Sequence, residues 1–305
     1  MQTGDQRANT KEILICFSGN PQKNKSRILK FYDGAIRTKG IDFDFIIVSY
    51  NETAEESLKK IELDGIELPQ KIYGPAFAKK FAYPNKIKSG NFKLKPGNCD
   101  LPILAIWMDF KQYDRYWVVE DDVDFSGDIA VLFDDLKYRG EDLIATHLYP
   151  GFKTWDYYSM FNSGPAMIPE KNLYLCFLPF FVIKSGALKA IDEAYRSGWA
   201  GHHEMTWPTI LQLANKPIFD IGGCGPFVSD GYENKFYIGS PKDKFKKSGS
   251  FGTMTVRLAT GKEKNKLWHP VKSFSDWLPQ MSRRVKSYVG WVISNKLQSG
   301  RRAGS

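Results

Sequence analysis

The alternation of strand-like and helix-like segments is the feature of this sequence that most constrains its fold. EILICFS (12–18) and FDFIIVSYN (43–51) are runs of apolar and β-branched residues, a pattern typical of buried strands. Between them, the segment 26–40 has apolar residues at helical spacing and ends in a glycine. Further strands are predicted at 115–123, 142–148, 174–183 and 217–223. Strands that alternate with helices predict the α/β class, with a mixed, mostly parallel sheet flanked by helices.

Helices are predicted between these strands from apolar spacing and capping residues. The longer ones fall at 99–113, 128–137, 185–198 and 204–214. The segment AEESLKKI (54–61) also predicts a short helix, because Glu55 stands four residues before Lys59, a favourable helical pair. The stretch 71–97 is rich in lysine, proline and glycine, so we expect it to be mostly irregular.

Composition excludes several classes of protein. The chain has 305 residues with 42% hydrophobic content, and no window approaches the roughly 18 apolar residues that a membrane span requires. The N-terminus lacks the pattern of a secretory signal, so we expect a cytoplasmic protein. The four cysteines are widely spaced, which predicts free thiols rather than disulfides or a cysteine zinc site. A net charge of +9 favours anionic partners.

The chain is predicted to hold one domain and a C-terminal appendage. Residues 1–272 form the domain, which divides at about residue 125 into two halves. Residues 273–305 carry a basic amphipathic helix, whose apolar stripe runs through 275–297. Such a helix either binds an anionic membrane surface, which would make the protein peripheral on the cytosolic face, or packs on the domain.

The phrase YWVVEDDVDFSGD (116–128) places five acids directly behind a buried strand. On an extended strand Glu120, Asp122 and Asp124 would share one face, and three like charges there repel unless a cation or several donors offset them. Hard ions such as Mg²⁺ and Mn²⁺ prefer carboxylate oxygens and accept further oxygens from a substrate diphosphate. We therefore predict a site for Mn²⁺ or Mg²⁺ here, with helix capping by Asp124 and Asp128 as the plain structural alternative.

This phrase resembles the strand of GT-A type nucleotide-sugar-dependent glycosyltransferases that ends in ExD or DxD, as in bacterial surface-polysaccharide transferases. The resemblance implies a GT-A-like fold with Asp122 as metal ligand and Asp124 as a second one, while Glu120 and Asp121 contact the donor. The element LWHPVK (267–272) resembles the late histidine of that family, which implies His269 as a further metal ligand.

The resemblance also implies that the domain is catalytic, with a nucleotide-binding half over about 1–125 and an acceptor-binding half over about 126–272. It further implies particular donor and acceptor residues. The loop after the first strand would contact the nucleotide through Ser18, Gly19 and Asn20. The turn PGNCD (96–100) leads into a helix, so its N-terminal end, with Asn98 and Asp100, would face phosphate or sugar hydroxyls, with an ordinary turn and helix cap as the structural alternative.

GWAGHHEMTWPTIL (198–211) resembles the acceptor side of inverting members of the family, in which an acid at a helix start is the general base. Glu204 is the implied base, whereas a first-turn glutamate favoured by the helix dipole is the structural alternative.

These features together predict a metal-dependent glycosyltransferase that moves a sugar from a nucleoside diphosphate sugar, with a UDP-sugar favoured, to a hydroxyl of a glycan or lipid-linked glycan. A phosphohydrolase or a nucleotidyltransferase acting on a diphosphate substrate is the alternative, because the same acids would serve it. A basic non-catalytic protein is a third reading, although no segment matches a nucleic-acid-binding fold and we expect no nucleic-acid partner.

Overall fold

The computed structural model of the protein describes residues 11–87, 94, 98–240, 245, 249–253 and 255–279. Its strands are β1 Lys11–Phe17, β2 Asp42–Tyr50, β3 Ser57–Leu63, β4 Ile66–Tyr73, β5 Arg115–Glu120, β6 Asp124–Ser126, β7 Leu143–Pro150, β8 Asn162–Ser163, β9 Tyr174–Lys184, β10 Trp199–Ala200, β11 Ile218–Asp220 and β12 Lys266–Trp268. Its helices are α1 Lys25–Arg37, α2 Asp100–Asp109, α3 Ala130–Leu136, α4 Ser185–Arg196 and α5 His203–Leu213.

Eight of the strands form one sheet in the order β11-β7-β9-β5-β1-β2-β4-β3. The pairs β5–β1, β1–β2, β2–β4 and β11–β7 are parallel, whereas β9 is antiparallel to both of its neighbours and β3 is antiparallel to β4. The predicted α/β class and the mixed, mostly parallel sheet are therefore confirmed. The sheet takes strands from both predicted halves of the chain.

Alternation along the central strands builds a core on each face of the sheet. In β5, Tyr116 and Val118 belong to one apolar cluster and Trp117 and Val119 to the other, because successive side chains point to opposite faces. The first cluster packs under α2, α4 and α5, and the second packs under α1 and α3. Burial on both faces explains why these strands are uninterrupted apolar runs in the sequence.

The prediction of a helix at 54–61 is wrong, because most of this segment belongs to β3, which forms a hairpin with β4. The turn consists of Asp64 and Gly65, which both adopt left-handed backbone conformations with φ of 49° and 81°. A two-residue Asp-Gly turn of this kind is a strong hairpin signal because its twist matches that of the strands it joins. This local turn and the pairing along β4 outweigh the weak helical pair of Glu55 and Lys59.

The remaining predicted helices and strands are present with ends shifted by a few residues. Of the stretch 71–97, the part after Tyr73 that the structure describes is a short 3-10 helix, Pro75–Lys80, followed by irregular chain. All four cysteines are free thiols, as predicted. No helix among the described residues is long and apolar enough to cross a membrane. Most of the predicted C-terminal helix, from residue 280 onward, lies outside the described residues.

Candidate active site

The acids of the candidate site stand where two parallel strands end together. Glu120 is the last residue of β5 and is paired in register with Phe17, the last residue of β1. The backbone N–H of Asp121 donates to Phe17 O at 2.9 Å, so the ladder continues one residue further before the chain turns. The carboxyl ends of parallel strands are where open α/β sheets bind ligands.

A short two-stranded sheet brings the late histidine to these acids. Strand β12 pairs antiparallel with β6, and His269 directly follows β12. The N–H of Val271 then donates to Asp122 O at 2.7 Å, which ties this C-terminal segment to the acidic turn. As a result, His269 Nε2 lies 3.4 Å from Asp122 Oδ1 and 3.8 Å from Glu120 Oε2.

Glu120, Asp122 and His269 offer two carboxylate oxygens and one imidazole nitrogen, all within 4.8 Å of one another. His269 Nδ1 lies 2.9 Å from the carbonyl oxygen of Gly252 and must donate there, because a carbonyl only accepts. The Nε2 atom is therefore the lone-pair nitrogen of the neutral ring and faces the carboxylates, which is the usual arrangement of a metal-binding histidine. This mostly oxygen donor set fits a hard divalent cation such as Mn²⁺ or Mg²⁺.

The pKa values of the cluster reflect charged groups brought close together, with Asp122 and His269 buried and the Glu120 side chain 40% exposed. Burial opposes ionisation of Asp122, but the adjacent His269 and Lys272 outweigh it and hold the pKa of Asp122 below its usual value. Burial and the charge of Asp122 raise the pKa of Glu120 to about 7. Burial is the largest single influence and lowers the pKa of His269, but attraction to Asp122 and Glu120 and the hydrogen bonds to Asp122 and Gly252 together outweigh it and leave that pKa raised. The raised pKa of Glu120 reflects burial and repulsion between the two carboxylates, and a bound cation would relieve that repulsion.

Lys272 is a site residue that sequence reasoning missed. Its ammonium group forms an ion pair with Asp122 Oδ2, while His269 approaches the other oxygen of the same carboxylate. Its position three residues after His269, within the phrase LWHPVK, was the available signal. The sequence around this lysine gives no sign of which acid it will meet.

Asp124 lies apart from the cluster, although it was predicted as a metal ligand. Its carboxylate forms an ion pair with Lys30 on α1 and accepts a hydrogen bond from the N–H of Phe125 at 2.7 Å. Strand β5 ends at Glu120, and the turn that follows breaks the strict alternation on which the shared face of three acids depended. The structure thus brings Glu120, rather than Asp124, together with Asp122 and His269.

Asp121 is held by the loop that follows β1. Ser18 Oγ donates to Asp121 Oδ2 at 2.5 Å, and Asn24 Nδ2 donates to the same oxygen at 2.6 Å. Gly19 lines the smaller of the two pockets described next. The Asn20 carboxamide instead accepts from the N–H of Lys23 and begins the turn into α1. Asp121 is therefore a fixed carboxylate that lines the pocket.

Two adjoining pockets, of about 200 and 350 Å³, meet at the acidic strand end. They share Leu94, Cys99, Glu120, Leu178 and His203. After the roles predicted from the sequence, we call the smaller one the donor-side pocket; its polar lining comprises Ser18, Glu120, Asp121, Asp122, His203 and Lys272. We call the larger one the acceptor-side pocket; its polar lining comprises Glu120, His202, His203, Glu204 and His269.

Glu204 stands in the acceptor-side pocket at the start of α5. Its side chain is 6% exposed, and its N–H donates to Nδ1 of His202, the residue that caps the helix, at 3.3 Å. The ring of His202 stacks between Tyr157 and His203, with ring centroids 4.5 and 4.9 Å away. Glu204 therefore lies at a helix start, next to aromatic and imidazole rings and beside the cluster of Glu120, Asp122 and His269. An acid in this position can accept a proton from a bound hydroxyl group.

The two residues predicted from the PGNCD turn do not line either pocket. Asn98 accepts the N–H of Leu101 through its backbone oxygen and so opens α2. Asp100 is fully buried and is ion-paired with Lys86, with 2.8 Å between Asp100 Oδ2 and Lys86 Nζ. Their neighbour Cys99 lines both pockets instead, and burial raises the pKa of its thiol to about 12.

No protein-family model and no curated protein sequence matches this chain. Among solved structures, it is similar to 4-diphosphocytidyl-2C-methyl-D-erythritol synthase from Anaerococcus prevotii, with 10% identity, a TM-score of 0.38, and coverage of 69% of this chain and 86% of the other. It is also similar to a protein described as a glucose-1-phosphate thymidylyltransferase from Bacillus anthracis, with 13% identity, a TM-score of 0.32, and coverage of 60% and 75%. At these values the resemblance does not decide an activity for this chain.

Proposed function

We propose that this protein is a divalent-metal-dependent glycosyltransferase that moves a sugar from a nucleoside diphosphate sugar to a hydroxyl group of a glycan. One observation carries the proposal. The metal-fitting cluster of Glu120, Asp122 and His269 borders both pockets, and the buried acid Glu204 lines the pocket on the acceptor side. A cation-diphosphate site and a proton acceptor are the two groups that inverting sugar transfer requires.

Without a bound cation, the donor-side pocket is too negatively charged to bind a diphosphate. Among its described lining residues, three carboxylates face a single lysine, Lys272. When bound, a divalent ion would supply the positive charge that a leaving diphosphate needs. Glu120, Asp122 and His269 would hold that ion, and Lys272 would place its ammonium group on the same side of the pocket.

The acceptor-side pocket would supply the proton acceptor. The acceptor oxygen forms a bond to the anomeric carbon, the bond from that carbon to the diphosphate oxygen breaks, and the hydroxyl proton passes to the Glu204 carboxylate. Attack from the side opposite the leaving group inverts the anomeric centre. A well-placed base contributes about a hundredfold to ten-thousandfold to the rate.

Finer features of the proposal follow from the sequence. We propose a UDP-sugar as donor with Mn²⁺ or Mg²⁺, and a glycan or lipid-linked glycan as acceptor. The basic segment 275–297 would bring the enzyme to the cytosolic face of a membrane that carries the acceptor.

A product assay tests the proposal. The protein would be incubated with UDP-, GDP-, CDP- and TDP-sugars, a mixture of glycan acceptors, and Mn²⁺ or Mg²⁺. We expect one nucleotide sugar to be consumed, with a nucleoside diphosphate released and sugar attached to an acceptor, and we expect EDTA to abolish this turnover. Glu204→Gln should lower the rate by about a hundredfold or more while donor binding remains.

The alternatives give different products in parallel reactions. A nucleotidyltransferase would consume a nucleoside triphosphate and a sugar 1-phosphate and release pyrophosphate. A phosphohydrolase would release phosphate or sugar phosphate without any acceptor. Either product, in the absence of glycosyl transfer, would contradict the proposed activity while leaving the metal site in place.

A further inference from the structure

A buried ion pair lies next to the turn that carries Glu204. Lys86 Nζ is 2.8 Å from Asp100 Oδ2, and the two side chains are 1% and 0% exposed. The same ammonium donates to the carbonyl oxygen of Gly201 at 2.7 Å. Burying two charges carries a large desolvation cost, and an apolar pair of equal volume would serve stability as well or better. The ion pair therefore calls for an explanation other than packing.

A tyrosine hydroxyl links this ion pair to the start of α5. Tyr195 donates to Asp100 Oδ2 at 2.6 Å and accepts from the indole N–H of Trp207 at 3.1 Å. The Thr206 hydroxyl has one proton and lies between two acceptors, the Tyr195 oxygen at 2.9 Å and the carbonyl oxygen of His202 at 3.3 Å. A continuous chain of buried contacts thus runs from Asp100 to the residue that caps the helix of Glu204.

The turn between β10 and α5 is fixed at two successive carbonyl groups. Lys86 binds the carbonyl of Gly201, and the Thr206 hydroxyl reaches that of His202. Gly201 has a φ of +132°, and a Cβ atom there would lie 3.0 Å from the carbonyl oxygen of Met160. The backbone leading to Glu204 therefore has little room and depends on these polar contacts for its direction.

We propose that Lys86, Asp100 and Tyr195 are positioning residues that aim Glu204 at the acceptor hydroxyl. This inference rests on the proposed function and deepens its acceptor half. The three side chains line neither pocket and so would touch neither donor nor acceptor. They act through the backbone of the 201–204 turn, where a displacement of about 1 Å can cost on the order of a hundredfold in rate.

Tyr195→Phe is the decisive variant, and Tyr83→Phe is its matched control. Tyr83 is also buried, its ring centroid is 5.3 Å from that of Tyr195, and its hydroxyl donates to Asp192 Oδ1 at 2.6 Å. Both variants remove one buried hydroxyl that donates to an aspartate, but only Tyr195 connects to Thr206. We expect Tyr195→Phe to lower kcat about tenfold to hundredfold, with the affinity for UDP and Mn²⁺ unchanged. We expect Tyr83→Phe to leave kcat at the wild-type value.

A second readout does not depend on turnover. The amides of Met205 and Thr206 donate to His202 O, so hydrogen–deuterium exchange of the peptide covering 199–207 reports on the turn. This peptide should exchange faster in Tyr195→Phe than in Tyr83→Phe, and Thr206→Val should behave as Tyr195→Phe does. Equal exchange and equal kcat in the two tyrosine variants would overturn the inference. Altered exchange in a protein that transfers no sugar would support the positioning and contradict the proposed function instead.

Discussion

Asp122 and Asp124 are two residues apart and have identical side chains, but their carboxylates have different partners. Asp122 faces His269 and Lys272, whereas Asp124 is ion-paired with Lys30 on the surface of α1. Sequence alone leaves the two equivalent, because the phrase EDDVD contains overlapping ExD and DxD registers. The contacts of each side chain, rather than its place in a motif, separate a candidate ligand from a structural acid.

Substitution of each aspartate by asparagine tests this distinction. Loss of a residue that only supports a metal ligand typically weakens metal binding by roughly 10–100-fold. Asp122→Asn should weaken Mn²⁺ binding by more than this, because an amide is a weaker ligand than a carboxylate. Asp124→Asn should leave Mn²⁺ affinity close to that of the wild type. Calorimetric titration of Mn²⁺ into each variant in the presence of UDP measures both values. An equal loss in the two variants would contradict the assignment.

Asp220 illustrates a buried acid with no part in the site. Burial raises its pKa to about 7, although it accepts hydrogen bonds from the N–H groups of Leu148 and Gly222 and from the Tyr237 hydroxyl. Between about pH 4 and pH 7 the folded protein keeps a proton on Asp220 that the unfolded chain has released. Its contribution to stability is therefore present at low pH and is lost as the pH rises through this range.

Asp220→Asn should remove this pH dependence. The variant should be less stable than the wild type at pH 5, because an amide cannot accept all three hydrogen bonds. The difference in free energy of unfolding should shrink toward pH 7, by up to about 1.4 kcal/mol per pH unit. Urea denaturation at pH 5, 6 and 7 measures it, and a difference that stays constant would contradict the raised pKa.

The element that completes the site is the pairing of β6 with β12. Ser126 on β6 accepts hydrogen bonds from the N–H of Lys266 at 3.1 Å and from the indole N–H of Trp268 at 3.0 Å. His269 follows Trp268 directly, so this hydroxyl adds side-chain support to a strand that is also held by backbone pairing with β6. We infer that the metal site depends on this small sheet as much as on its own ligands.

Ser126→Ala should therefore weaken Mn²⁺ binding about tenfold, within the range seen for residues that orient a ligand. Ser185→Ala is the matched control, because Ser185 likewise accepts from a tryptophan indole, that of Trp107, at 2.9 Å. Both variants leave one indole N–H without its acceptor, but only Ser126 supports His269. Thermal unfolding would show whether the two lose similar stability, and a Mn²⁺ titration should separate them. Equal Mn²⁺ affinities would show that β12 holds the histidine without Ser126.

Across the whole molecule, the sequence predicts those features of the fold that interactions between neighbouring residues in the chain determine. Burial explains the apolar runs of β1, β2 and β5 and the amphipathic spacing of α1. These patterns were sufficient to predict the α/β class and the mostly parallel sheet. The hairpin of β3 and β4 was missed although Asp64-Gly65 signals its turn, because a short charged strand at a sheet edge resembles a short surface helix.

Only those parts of the candidate site that have a signal in the local sequence were predicted. The acidic strand end, the late histidine and the acid at the start of α5 carry local signals, and Glu120, Asp122, His269 and Glu204 do border adjoining pockets. The only local signal for Lys272 is its place three residues after His269, and Lys86 has no such signal. Each lysine meets its aspartate only through tertiary contacts between separate segments of the chain. Asp100 was misjudged for that reason, since its helix-start position gave no sign of the buried lysine.

The central claim is that Glu120, Asp122 and His269 together bind a divalent cation that carries a nucleoside diphosphate. Crystals soaked with MnCl₂ and UDP, measured at the manganese absorption edge, test it most directly. We expect an anomalous peak between the two carboxylates and His269 Nε2, with diphosphate oxygens completing its coordination beside Lys272. Bound UDP with no manganese at this cluster, or manganese held by other residues, would contradict the claim.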